Sequence, residues 1–182
     1  MSIIIEVPAK EMFDEEHQEF INVPKTTLKL EHSLVSISKW ESKWKKPFIS
    51  KDPKTMEETI DYIKCMTISQ NVDDMVYRCI SNADIQRIND YIADPMTATW
   101  IAESTKKKQN TRIITSELIY YWMIALNIPV EFQKWHLNRL ITLIQVCSEE
   151  SNQENKKMSR REMMERNRSI NNARKAALHT RG

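Results

Sequence analysis

Leu30-Glu31-His32-Ser33-Leu34-Val35-Ser36-Ile37-Ser38-Lys39-Trp40-Glu41-Ser42-Lys43-Trp44-Lys45-Lys46-Pro47 is the stretch on which the fold turns. Before it, apolar residues recur every second position. Within it, Leu30, Leu34, Ile37, Trp40 and Trp44 recur every three or four, so they share one helical face. Pro47 is expected to stop that helix, and Lys39, Lys43, Lys45 and Lys46 put cations near its C-terminal end, where the helix dipole favours them.

Upstream, Ile3, Ile5 and Val7 alternate with Ser2, Ile4 and Glu6 and stop at Pro8. Residues 19–23, ending at Pro24, and residues 26–30 read the same way. A small N-terminal sheet follows, with its prolines at strand ends or edges. Downstream, Thr55-Met56-Glu57-Glu58 matches a capping box and opens a helix with Met56, Ile60, Ile63 and Met66 inward. A short helix is expected over 73–80, and a box-like start at Ser81-Asn82-Ala83-Asp84 leads to Ile85, Ile88 and Ile92 before Asp94-Pro95 ends that helix.

Residues 96–101 and 112–115 favour β structure around a basic tip, Lys106-Lys107-Lys108-Gln109-Asn110, so a hairpin near 96–115 is expected. Thr115 or Ser116 then caps a helix with Leu118, Ile119, Trp122, Met123 and Leu126. It is apolar on nearly all sides, which predicts the central buried helix. Asn127-Ile128-Pro129 turns a corner into a long amphipathic helix marked by Phe132, Trp135 or His136, Leu140, Leu143, Ile144 and Cys147, and the two should pack as a helical hairpin. Residues 148–157 hold no apolar side chain and read as a linker. A last, thinly apolar basic helix follows from Ser159. The fold class expected is mainly α: a helical core over 28–148, an acidic β segment over 1–27, and a polar linker with a basic helical tail over 149–182.

The chain has 182 residues and one glycine, Gly182, where average usage of about 7% gives roughly 13. Phosphate-cradling loops, dinucleotide fingerprints and nucleophile elbows all need internal glycines, so none can be built. No pair among His17, His32, His136 and His179 has zinc-ligand spacing, and Cys65, Cys79 and Cys147 form no CxxC pair. The carboxylate groups Glu57-Glu58-Asp61 and Asp73-Asp74 sit at helix starts, where they suit the dipole better than a hydrolytic site. No enzyme, cofactor or metal is expected. Met1 to Glu6 lacks a basic segment and a long apolar run, so neither a secretion signal nor a membrane anchor is expected, and a reducing cytoplasm suits the odd cysteine count.

The net charge of +2 conceals an asymmetry. Residues 156–182 hold nine Lys and Arg against two Asp and Glu, a balance of +7, whereas residues 1–22 hold six acids against one lysine, a balance of −5. Such a dipole suits a clamp, a self-associating particle or a basic interaction tail. Candidate partner-binding residues are Trp40 and Trp44 with their flanking lysines; the cluster Trp135, His136, Asn138 and Arg139; and, in the tail, Arg160, Arg161, Arg166, Arg174 and Lys175. For Trp40 and Trp44 a core role with a solvated lysine rim competes with a binding role, as does simple backbone bonding for His136, Asn138 and Arg139. The tail fits either phosphates or an acidic protein partner.

Several blocks together resemble the tail assembly chaperones of long-tailed bacteriophages. They are Leu30 to Glu41 with Trp44 and Lys46-Pro47-Phe48; Tyr62-Ile63-Lys64-Cys65-Met66-Thr67; Asp94-Pro95-Met96-Thr97-Ala98-Thr99; Thr115 to Met123; Trp135-His136-Leu137-Asn138-Arg139-Leu140; and the tail from Lys157-Met158-Ser159. The resemblance implies a small helical, non-catalytic protein of the infected host's cytoplasm that binds the tape-measure protein, helps recruit tail-tube subunits and is absent from the finished particle. The charge asymmetry adds self-association as an expectation. The alternatives are a structural virion protein, as connector or baseplate part, and a nucleic-acid-binding protein acting through the basic tail, the latter not favoured.

Overall fold

The computed structural model describes residues 2–14, 18–50, 52–99, 113–156, 164–165, 167–170 and 172. The chain divides into two units, Met1–Ile144 and Gln145–Gly182. The first begins with strands β1 (Ile3–Val7), β2 (Lys10–Asp14), β3 (Glu19–Val23) and β4 (Thr26–Leu30). It continues with helices α1 (Leu34–Trp44), α2 (Met56–Met66), α3 (Asp74–Arg78), α4 (Asn82–Ala93) and α5 (Ser116–Ala125), a 3-10 turn at Val130–Lys134, and the start of α6 (Leu137–Lys156). Of these, β2 is not among the strands expected from the sequence.

The four strands make two antiparallel pairs, β1 with β4 and β2 with β3. Ile3 pairs Leu30, Val7 pairs Thr26, Lys10 pairs Val23 and Asp14 pairs Glu19, so partner numbers add to 33 in both sheets. The two sheets are therefore one long hairpin ribbon in a single register, interrupted where Pro8-Ala9 lies across from Pro24-Lys25. A proline has no N–H to give a ladder, so pairing lapses there. The ribbon also turns over at that point. In the inner half Ile5, Val7, Leu28 and Leu30 are buried; strict alternation would then carry Glu11 and Phe13 inward. Instead Met12 reaches the body, its Sδ 3.2 Å from Cys79 Sγ, while the pair Phe13 and Phe20 faces out. With ladder bonds missing on both strands, the twist natural to a two-stranded ribbon is free to accumulate. The salt bridge from Lys25 to Glu6, 2.8 Å, spans the interruption on the surface.

The inner half is built into the helical core. Residues just past α2 run beside β4: Glu31 N–H donates to Met66 O at 2.8 Å, Ile68 N–H to Lys29 O at 2.9 Å. The helix predicted from Leu34 to Trp44 is α1, and it is the hub of the unit. Leu34, Ile37 and Trp40 are buried, and α2, α5 and the 3-10 turn all pack on it. Ser33 caps its N-terminus in a box with Ser36, and Lys45 ends it in the left-handed conformation at φ 55°, two residues before Pro47. The boxes predicted at Thr55 and Ser81 both cap their helices, α2 and α4.

Four expectations need correction. The apolar helix α5 is not central: Ser116, Ile119 and Met123 are buried, whereas Tyr121 and Ile124 are exposed. Uniform apolarity described a two-sided surface, not full burial. The long helix expected after Pro129 is two pieces, because Ser33 forms a β-bridge with His136 and Leu137 N–H donates to His32 O at 3.0 Å, which breaks the run. The polar stretch expected as a linker is helical through Lys156. Finally, residues 96–99 form no strand, and Ile114 pairs with Ile49 rather than with that segment. The basic tip at 106–110 lies outside the described residues. In the second unit, residues 145–156, 164–165, 167–170 and 172 are helical.

Candidate functional site

Two regions hold the chemically able side chains: a buried polar core under α1 and a surface around α5 and the start of α6. The core forms because β4, α2, α4 and α6 each deliver one polar ring to a single place. His32 follows β4, Tyr62 lies on α2, Tyr91 on α4, and His136 just precedes α6. His32 Nδ1 is 2.5 Å from Tyr62 Oη, and Ser36 Oγ is 3.3 Å from the same hydroxyl. The two imidazoles meet edge to face with centroids 4.9 Å apart, and His136 Nε2 lies 3.0 Å from Tyr91 O. Burial pushes the His32 ring down to about 3, with His136 adding to the shift. Burial also lowers His136 and raises Tyr62. His136 Nδ1 is buried without a hydrogen-bond partner. Two neutral histidines bonded to a tyrosine and to backbone lock four elements together, and both are closed to solvent.

Glu41 carries no functional signal in the sequence, yet it joins three parts of the unit. Its Oε1 accepts Phe48 N–H at 2.7 Å and its Oε2 accepts Ser116 N–H at 2.8 Å. Thr115, the N-cap of α5, makes no side-chain cap bond. The buried carboxylate of α1 therefore caps α5 from 75 positions away in the sequence. A single Glu on a helix gives no local sign of this, because its partners are backbone groups brought in by the fold. Beside it, Asp61 receives Trp44 Nε1–H at 2.8 Å and pairs with Lys43, while Glu58 pairs with Lys46 at 2.6 Å. The Lys46 ammonium and the Thr55 N–H hold the Glu58 carboxyl below the usual carboxylate range. These acids are thus structural ion-pair partners, and among the described residues no three His, Cys, Asp or Glu come together as a metal site.

The candidate binding residues separate accordingly. Trp40 is buried, stacked with Trp44 at 6.1 Å and donating its indole N–H to Glu58 O, so it offers nothing to a partner. Trp44 is half-buried over the lysine rim. His136 is core, for the reasons just given. Asn138 Nδ2 donates to Ile92 O and Asp94 O, at 2.9 and 2.8 Å, and so closes the C-terminus of α4. Trp135 and Arg139 do reach the surface: Phe132 and Trp135 stack at 4.1 Å, and the Arg139 guanidinium lies 4.2 Å from the Trp135 ring centroid. Arg160, Arg161, Arg166, Arg174 and Lys175 lie outside the described residues.

A cleft of about 350 Å³ opens beside Trp40, Pro47, Pro53 and Lys54. Both lysines that line it are already engaged: Lys46 pairs with Glu58, and Lys54 Nζ donates to Phe48 O at 2.9 Å and sits 4.1 Å from the Phe48 ring centroid. The apolar surface lies elsewhere. Tyr121 is 62% exposed, Ile124 76% and Val130 59%. Tyr121 and Ile124 share a face of α5 at spacing i, i+3, and Tyr120 Oη bonds Gln133 at 2.9 Å, tying α5 to the 3-10 turn that carries Val130 and Phe132. No family model, curated protein or solved structure matches this chain. Among the described residues no helix is long and apolar enough to cross a membrane.

Proposed function

We propose that this chain is a non-catalytic tail assembly chaperone of a long-tailed bacteriophage. It acts in the host cytoplasm, holds the tape-measure protein and helps bring tail-tube subunits to it. The observation that carries the proposal is the exposed apolar face of α5, with Tyr121, Ile124 and the nearby Val130. A monomer gains nothing by leaving such side chains in water, and a helical partner with an apolar stripe would cover them. The Trp135–Arg139 stack adds a rigid aromatic and a cation of the kind enriched at binding hot spots. The chemically able residues of the interior are engaged in holding the fold, which favours a binding role over a catalytic one.

Co-expression with the tape-measure protein of a long-tailed phage tests the proposal. The chain should keep that protein soluble and co-purify with it. Changing Tyr121→Glu and Ile124→Glu together should abolish co-purification while leaving thermal stability near that of the parent. If the long protein stays insoluble and nothing co-purifies, the proposal fails. Detection of the chain in purified particles by mass spectrometry would instead favour a structural virion role. Salt-sensitive retention of nucleic acid on filters would favour the tail as a phosphate binder.

A further inference from the structure

We propose that the outer half of the N-terminal ribbon, β2 with β3, docks the basic C-terminal segment, residues 156–182, of a second copy of this chain. The inference does not rest on the chaperone role. Beyond the two prolines the ribbon changes character. The inner half has its β4 edge covered by residues 66–69, but no backbone hydrogen bond reaches the outer edges of β2 or β3 among the described residues. On the outward face, Phe13 and Phe20 sit opposite one another in register, their rings 5.1 Å apart edge to face. They are 51% and 70% exposed. A cross-strand aromatic pair normally stabilises a sheet by being covered. Here it is held out on an arm that an open edge makes adhesive.

Charge decides what covers it. The outer strands and their connection carry Glu11, Asp14, Glu15, Glu16 and Glu19 against Lys10 alone. Two such arms repel, so arm-to-arm pairing is opposed, and the fitting occupant is basic with some apolar surface. The segment 156–182 has nine Lys and Arg against two Glu, and within it Met164 and Ile170 are exposed on helical backbone. It carries a larger basic excess than the other lysine-rich stretches, 39–54 and 106–112, and that excess of +7 answers the −5 of residues 1–22. Arm to tail is a heterologous contact: each copy would offer both halves, so wild-type chains grow into rings or open strings.

Analytical ultracentrifugation of the full chain tests this through paired charge reversals. Wild type should associate at low salt, and added salt should weaken association by roughly tenfold or more, because the contact joins opposite charges. Phe13→Ser with Phe20→Ser should weaken it by a similar factor with unchanged circular dichroism. Glu11→Lys with Glu19→Lys should be monomeric, as should Arg160→Glu with Arg161→Glu and Arg166→Glu. Mixing these two monomeric variants restores one acidic arm and one basic tail, so it should yield a one-to-one pair and nothing larger. A monomeric wild type at low salt would overturn the proposal, including the case where the arm reversal shifts the melting temperature and so reports a contact within one chain. Association that survives both reversals, or a mixture that stays monomeric, would overturn it as well. None of these outcomes involves the tape-measure protein, so this proposal and the chaperone role stand or fall separately.

Discussion

Protonating His32 would set a charge between Tyr62, Phe48 and the ring of His136, in a place closed to water. The unfolded imidazole titrates near 6.5 and the folded one near 3. Between those values the unfolded chain binds a proton that the folded chain refuses. Stability is therefore complete above about pH 6.5 and declines as the pH falls toward 3, by about 1.4 kcal/mol for each pH unit crossed between the two values. His136, also lowered by burial, adds in the same direction. Glu58 acts with the same sign but below about 4.5, the ordinary glutamate value from which its own is depressed. Urea midpoints measured from neutral pH to about pH 5 should thus fall for the parent and fall less for His32→Gln. Equal slopes would place the acid sensitivity elsewhere. Glu41 predicts a separate effect. Glu41→Ala leaves the N–H groups of Phe48 and Ser116 without their acceptor, and should cost about 3 kcal/mol in chemical unfolding. Neither role was legible in the sequence, where a histidine after a strand and a glutamate in a helix have only local neighbours. What makes them matter is contact across tens of positions.

At the scale of elements, local signals were legible wherever the decision is local. The capping box at Thr55, the N-cap at Ser81, the stop at Asp94-Pro95 and the three- and four-residue spacing of α1 depend on side chains within one or two turns, and all appear as expected, although Asp84 does not reach back to close a full box at Ser81. Elements governed by distant partners were not. The strand β2, Lys10-Glu11-Met12-Phe13-Asp14, is too charged at its ends to announce itself and exists because β3 pairs with it. The break before α6 is imposed by Ser33 and His32. The scarcity of glycine has its own cost here. Among the described residues, left-handed positions fall on Gln18, Lys45, Asn71, Met96 and Asn127, at φ between 50° and 55°. Asparagine tolerates that region, but lysine and methionine lose roughly 1 kcal/mol in it. Lys45→Gly, at the C-cap of α1, should therefore raise stability by about 1 kcal/mol, measurable as a higher urea midpoint with unchanged slope. A drop would mean that the Lys45 side chain contributes more than the backbone conformation costs.

For the whole molecule, the candidate site was half legible. The aromatic and cationic cluster at residues 135–139 does reach the surface through Trp135 and Arg139, whereas Trp40 and His136 are interior. The exposed face of α5 was hidden in the sequence, because a helix apolar all round reads alike whether its second face meets the core or a partner. The surface predictions divide along this line. Tyr121→Glu with Ile124→Glu should remove partner binding and leave folding intact, while the arm and tail reversals should change only the chain's self-association. The ribbon that bears the arm has one more consequence. Because its two sheets share a single register across the prolines, its length is quantised. Deleting one residue from either strand would slide every pair beyond the cut and exchange the faces of that strand. Deleting two residues from each strand, symmetrically about the tip, would return Phe13 and Phe20 to opposition one step nearer the body. The arm thus behaves as a spacer with a fixed increment, able to change its reach only in matched steps while the core to which it is rooted stays the same.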